Sequence, residues 1–381
     1  MNTAFQTNFT LKHILLPLGI SFFTFQQISF IVDVYRGEVG KYSFIDYALF
    51  VTFFPQLIAG PIVTHAEMIP QFQDESKKKV DWDMFSKGMV IFILGMFKKV
   101  IIADTFGKAV DWGYGNVSLL DSTNGILLML FYAVQLYFDF SGYCDMARGI
   151  GYFFHVEIPL NFNSPYKAVD VLDFWKRWHM TLNRFMTQYV YIPLGGNRKG
   201  KVRTYINFFA IFIVSGIWHG AGWTYITWGL MHGVACSLNR MGKKWIAKVP
   251  HFITRIVTFV FFCISIVYFR AESVHQANEI MGRVIKGGFG KLNMSMAELF
   301  NLDEFWYVLK ILHMDTQTYS KCYLCIAMLV VTLLVAFFGK NVNEIAQNFK
   351  PRVWNAIALM GILVWCVVSL SGVSTFLYFN F

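Results

Sequence analysis

Two histidines sit where an apolar sequence has little reason to keep them. His219 lies in "SGIWHGAGWTYITWGLMHGV" (215 to 234), among tryptophans and glycines, and His179 lies in "DVLDFWKRWHMTLNRFMTQYVY" (170 to 191). Imidazole exchanges a proton near neutral pH, so either ring suits general acid–base work. An ionisable side chain inside a membrane segment is costly and usually faces the protein interior, a cavity or a pathway, which makes His219 the stronger candidate. His232 follows 13 residues later, about 220° around an unbroken helix, so the two rings need not converge. A hydrogen-bonded structural role is the economical reading of His232.

In the 170 to 191 stretch, Val171, Trp175, Trp178, Leu182, Phe185 and Tyr189 recur every three or four residues and predict one apolar helix face. Lys176, His179 and Asn183, at i, i+3 and i+7, are expected on another. A helix this rich in Trp and Arg also suits the membrane interface, so at this level His179 is either interfacial or functional. A third group, "QLYFDFSGYCDMARGIGYFF" (135 to 154), sets Asp139, Ser141, Asp145 and Arg148 at the end of an apolar run. Asp145 and Arg148, at i and i+3, are spaced for an ion pair. Nothing fixes the carboxylate separation that glycoside hydrolysis needs, and Ser141 lacks the G-x-S-x-G elbow.

The elements that must carry these residues are membrane helices. Of 381 residues 56% are hydrophobic and only 15% charged, too apolar for a soluble domain, and several runs approach the roughly 20 residues of a bilayer crossing. The runs are continuously apolar, which argues against a β-barrel. The net charge of +10 is a poor sign of nucleic-acid binding, because the cations fall in short loops as the positive-inside rule expects. "NRKGKVR" (197 to 203) and "RMGKKWIAK" (240 to 248) are assigned to the cytoplasm, as are Lys77, Lys78 and Lys79.

Spans are expected near 14 to 35, 44 to 63, 86 to 103, 122 to 143, 254 to 270, 322 to 339 and 353 to 379, with 205 to 239 as a hairpin. The 104 to 121 stretch is expected as an outer loop, and 271 to 320 as an extramembrane segment with one or two surface helices. Gly216 and Gly220, then Gly229 and Gly233, follow the small-xxx-small pattern of closely packed membrane helices. Cysteines in apolar runs read as small hydrophobes, and the Cys322, Cys325 pair has no second pair for a zinc site. "MNTAFQTNFTLKH" has none of the three regions of a signal peptide.

"FWKRWHMTLNRFMTQYVYIPLGGNRKG" followed by "GIWHGAGWTYITWGLMHG" resembles the signature of the membrane-bound O-acyltransferases. "PLGISFFTFQQISFIVDVYRGEV", "FFPQLIAGPIVTHAEMIPQF", "QLYFDFSGYCDMARGIGYFF", "YFRAES" and "STFLYFNF" point to the branch resembling the alginate O-acetyltransferase membrane subunit. The resemblance runs from about residue 14 to the end. Such proteins usually carry further spans before the "PLGISFFTF" segment, so the chain is expected to be a single domain shortened at its N-terminus.

The resemblance implies an all-α, polytopic bundle with re-entrant or amphipathic helices around a central tunnel, in the bacterial plasma membrane. It implies His219 as the catalytic histidine and His179 as its polar partner. Lys176, Arg177, Asn183, Trp178, Trp218 and Asp139 are then expected along the substrate path. Acetyl-CoA or another acyl thioester is the implied co-substrate, with no bound cofactor or metal. The implied partners are membrane lipid, an extracytoplasmic polysaccharide and an SGNH-hydrolase-like acetyltransferase. Two rival readings are a transporter or flippase and a non-catalytic subunit that recruits a soluble transferase.

Overall fold

The computed structural model describes residues 19–301, 310, 311, 313 and 319–372, and among these every regular element is helical. The first, α1 (Ile20–Tyr35), starts behind Gly19, whose φ is 76° and where a Cβ would lie 2.9 Å from Leu57 O and Ile58 Cα, so there is no room for a side chain. Then come α2 (Phe44–Thr52) and α3 (His65–Gln73), each opened by a capping box, Ser43 with Asp46 and Thr64 with Glu67. The nine residues of α2 rise only about 14 Å, less than half a bilayer core, so the span expected at 44 to 63 is not one crossing helix.

Next, α4 (Trp82–Phe97) passes through a π-helical turn (Lys98–Ala103) into α5 (Asp104–Gly115). The expected outer loop at 104 to 121 is therefore helical as far as Gly115. Its acids are not loop charges: Asp104 turns back to Lys99, and Asp111 accepts from Arg270. The central element is α6 (Ser122–Phe153), 32 residues long and buried along most of its length. It crosses α4 on a glycine seam. A Cβ on Gly88 or Gly95 would lie 2.8 Å from the carbonyl oxygen of Gly149 or Gly142 respectively, so the two backbones touch and only glycine fits.

After two short helices, α7 (Val171–Trp175) and α8 (Met180–Met186), comes the hairpin of α9 (Gly200–His219) and α10 (Trp223–Met241). Its glycines are seams as expected: a Cβ on Gly216 would lie 2.5 Å from Tyr225 O, and one on Gly229 2.5 Å from Phe212 O. The chain continues through α11 (His251–Arg270), α12 (Val274–Lys286), α13 (Met294–Glu298), α14 (Ser320–Phe338), α15 (Val342–Gln347) and α16 (Val353–Val368). The 271 to 320 segment thus contains helices α12 and α13; its residues 302–309, 312 and 314–318, like Pro17 and "STFLYFNF", lie outside the described residues. Cys322 meets Met294 Sδ at 3.5 Å and Cys325 is buried.

Among the described residues α6, α11 and α14 have both the length and the apolarity to cross a bilayer, and α16 is apolar but shorter. The hairpin helices have the length without the apolarity, because they turn Thr204, Asn207, Ser215, His219, Thr224 and His232 inward. The main core surrounds α6, where Phe131, Tyr132 and Phe140 are fully buried against α5, α11, α12 and the 162 to 186 stretch.

Candidate active site

The apolar periodicity of 170 to 191 does not become one helix. The chain breaks between α7 and α8, and the break is at His179, whose φ of 46° and ψ of 51° are left-handed. That conformation costs a non-glycine residue about 1–2 kcal/mol, although His is among the types found there most often. Two backbone hydrogen bonds clamp the turn, Met180 N to Asn161 O and Asn163 N to Arg177 O, both 2.9 Å. The polar face expected to hold Lys176, His179 and Asn183 is consequently absent: Lys176 is exposed, His179 is buried, and Asn183 Nδ2 donates to Trp175 O at 3.1 Å.

Asn161 fixes the state of the buried ring. Its Oδ1 is 3.2 Å from the Thr181 amide nitrogen, 2.9 Å from Thr181 Oγ1 and 3.3 Å from His179 Nδ1. A backbone N–H can only donate, so the atom facing it is the amide oxygen, and His179 must offer that oxygen Nδ1–H. The lone pair then resides on Nε2, which is buried without a hydrogen-bond partner among the described residues. Thr181 Oγ1 in turn accepts from Ile62 N at 2.9 Å. Arg184, one turn along α8, pairs with Glu67 and donates to Ile62 O at 3.0 Å. The "GPIVTHAEM" stretch thereby holds α8, and with it His179, from the opposite side.

His219 arrives from the hairpin as the last residue of α9, before the Gly220 to Gly222 turn. Three rings meet it nearly edge-on: Trp218 at 4.7 Å, Phe269 at 5.0 Å and Trp228 at 5.5 Å. Trp218 also meets His179 at 6.3 Å, so one indole touches both imidazoles. It is held by α1, stacked on Phe25 at 4.8 Å and edge-on to Phe22 at 5.3 Å. This is what the "PLGISFFTF" stretch contributes.

His179, His219 and Trp178 line one internal cavity of about 20 Å³, closed by Leu136, Trp175, Trp228 and Phe269. That holds about one water, so a substrate enters only as the aromatic wall moves. Trp178 is part of the wall, stacked on Phe174 at 5.5 Å. Lys176, Arg177, Asn183, Trp218 and Asp139 do not line this cavity. Arg177 Nε donates to Asp173 at 3.0 Å, and buried Asp139 pairs with Lys99 at 2.7 Å. Asp145 pairs with Lys98 at 2.7 Å instead of Arg148, which donates to Ile158 O and Asn343. The expected i, i+3 pair is replaced because Lys98, on the π-helical turn, reaches Asp145 first.

His232 behaves as the structural reading requires, accepting from Trp175 Nε1 at 3.2 Å and meeting Ser265 Oγ at 3.1 Å. Asn161 and Thr181 are the contributors that sequence reasoning missed. Their one local signal is the polar pair in "LNFN" (160 to 163), beside a proline-containing turn, with no periodicity to mark it.

With that geometry in place, comparison with known proteins is direct. The chain is 39% identical over 415 residues to the peptidoglycan O-acetyltransferase of Helicobacter pylori, covering 100% of this chain and 77% of that protein. It is 37% identical over 349 residues to the probable alginate O-acetylase of Pseudomonas putida, covering 90% of this chain and 66% of that protein. Its match to the Pseudomonas aeruginosa protein of the same description is 42% over 273 residues, 71% of this chain and 51% of that one. The sequence profile of one family matches residues 34–274, from the end of α1 to the start of α12 and through both histidines. The chain is an acyltransferase of the membrane-bound O-acyltransferase family.

Proposed function

We propose that the chain transfers an acetyl group from a cytoplasmic acyl thioester such as acetyl-CoA to hydroxyls of an extracytoplasmic polysaccharide, directly or through an SGNH-hydrolase-like partner. It would do so as a multi-pass protein of the bacterial plasma membrane. The observation that carries this reading is the shared cavity: His219 and His179 reach it from two different elements, with Trp218 against both rings.

In the proposed step the hydroxyl oxygen attacks the thioester carbonyl, a C–O bond forms, the C–S bond breaks, and the thiolate takes up a proton. His219 is the base that removes the hydroxyl proton and passes it to the leaving sulfur. His179, with Nδ1–H tied to Asn161, presents an acceptor at Nε2, which suits orienting a neighbouring hydroxyl of the acceptor better than donating to an oxyanion. Lys176, exposed beside the turn, is placed to attract the donor's phosphates.

The test is transfer of labelled acetyl from acetyl-CoA by the full protein in vesicles, wild type against His219→Ala. Transfer by the wild type that is lost in the variant supports the reading. A variant as active as wild type overturns the assignment of His219. A wild-type protein that binds an extracytoplasmic partner without transferring label makes the chain a recruiter.

A further inference from the structure

On the far side of α6 from the histidines lies a much larger space. Leu136 lines the small cavity, whereas the next two residues, Tyr137 and Phe138, line one of about 460 Å³. Its walls are Leu94, Ile101 and Ile102 of the α4 path, Val331 and Val335 of α14, and Trp365 of α16. The buried cation there is committed: Lys98 pairs with Asp145, donates to Ser141 at 3.1 Å and lies over the Tyr137 ring. An acetyl group has no use for so much apolar wall.

The space has two distinct ends. Val331 and Val335 line it and are still 57% and 50% exposed, so it borders the exposed apolar face of α14, a helix long and apolar enough to cross a bilayer. At its other end Leu94, Lys340 and Ile345 pass into a second cavity of about 570 Å³ that also carries Lys350 and Arg352. Among the described residues none of these three cations has an ion-pair partner. The acid beside them, Glu344, is committed to the α15 capping box, accepting from Asn341 N at 3.0 Å. Each volume is in the range of small-molecule sites, roughly 300–1,000 Å³. An apolar chamber bordering that face, joined to a cationic mouth, matches a molecule with a long chain and a phosphate.

We propose that this pair of cavities binds an anionic glycerophospholipid of the surrounding bilayer, one acyl chain against Tyr137, Phe138 and Val331, and the phosphate at Lys340, Lys350 and Arg352. The position beside that face selects a bilayer lipid over a soluble donor. The site is independent of the acyl-transfer reading, since it shares no lining residue with the histidine cavity.

The experiment uses the full protein in nanodiscs with a phosphatidylglycerol carrying a diazirine at mid-chain, and maps the crosslink by mass spectrometry. Crosslinks are expected on α14 and α16, competed at least tenfold better by phosphatidylglycerol than by phosphatidylcholine. Lys340→Glu/Lys350→Glu/Arg352→Glu, confined to exposed positions, is expected to lower crosslinking at least tenfold with an unchanged melting temperature. Ala336→Phe, which fills the chamber, is expected to abolish it. Equal competition by both lipids, or a yield unchanged by the charge variant, makes this ordinary boundary lipid and overturns the proposal. Stronger competition by a polyprenyl phosphate, or by inorganic phosphate alone, overturns it in favour of that ligand.

Discussion

His179 and His232 are both buried, both ringed by aromatic side chains, and both linked to α7 and the turn that follows it, yet their nitrogens are used differently. Ser265 Oγ donates to Phe262 O at 2.8 Å, so its contact with His232 Nε2 makes the ring the donor there, while Nδ1 accepts from Trp175. Both nitrogens of His232 are thus spent. His179 spends one, on Asn161, and keeps the other inside the cavity wall. Burial and aromatic packing are common to the two rings; the fate of the second nitrogen is what separates them.

The strongest way to break that contrast is His179→Ala. General acid–base and positioning groups contribute about 10²–10⁴-fold, and a loss of that size is expected in acetyl transfer per folded molecule, with the protein still monodisperse in detergent. If His179→Ala retains a third or more of wild-type transfer, the uncommitted nitrogen has no role and the contrast fails. Asn161→Leu tests the same nitrogen indirectly. It strands the Thr181 amide and releases the His179 tautomer, at about 1–3 kcal/mol for the orphaned group. Transfer is expected to fall about tenfold, the equivalent of ~1.4 kcal/mol. Nitrogen-15 shifts of labelled His179 are expected to move from one tautomer to a mixture. Unchanged shifts would show that Asn161 does not set the proton.

How much of this was legible in the sequence depended on the range of the interactions. The α9–α10 hairpin and its glycine seams were readable because basic flanks and small-xxx-small spacing are local. The separation of His219 from His232 was readable for the same reason. The break at His179 was not, because Val171 to Tyr189 satisfy a helical period locally, while the clamp comes from Asn161 and Asn163. Lys98 and Lys99 fall inside the span expected at 86 to 103, with no local sign of the groups that neutralise them. In the structure they are internal, neutralised by Asp145, Asp139 and Asp104, the first two from α6, 47 and 40 positions along (145 − 98; 139 − 99). Hydropathy likewise scores α9 and α10 too low, since it counts their inward polar side chains as if they faced lipid.

The smallest expected effect sharpens the comparison from the other side. His232→Leu keeps the apolar volume and removes both hydrogen bonds, leaving Trp175 Nε1–H buried without its acceptor. That costs about 1–3 kcal/mol, read as a lower unfolding temperature in detergent. Transfer per folded molecule is a separate matter. Trp175 lines the histidine cavity, but it is also held edge-on to Phe174 and Trp228, at 5.7 and 5.9 Å, so its ring stays in the wall without His232. Activity is therefore expected within about threefold of wild type, given that about 1.4 kcal/mol of transition-state stabilisation would be needed for tenfold. A hundredfold loss at normal stability would mean that His232 joins the chemistry through Trp175, and the two histidines would then belong to one network.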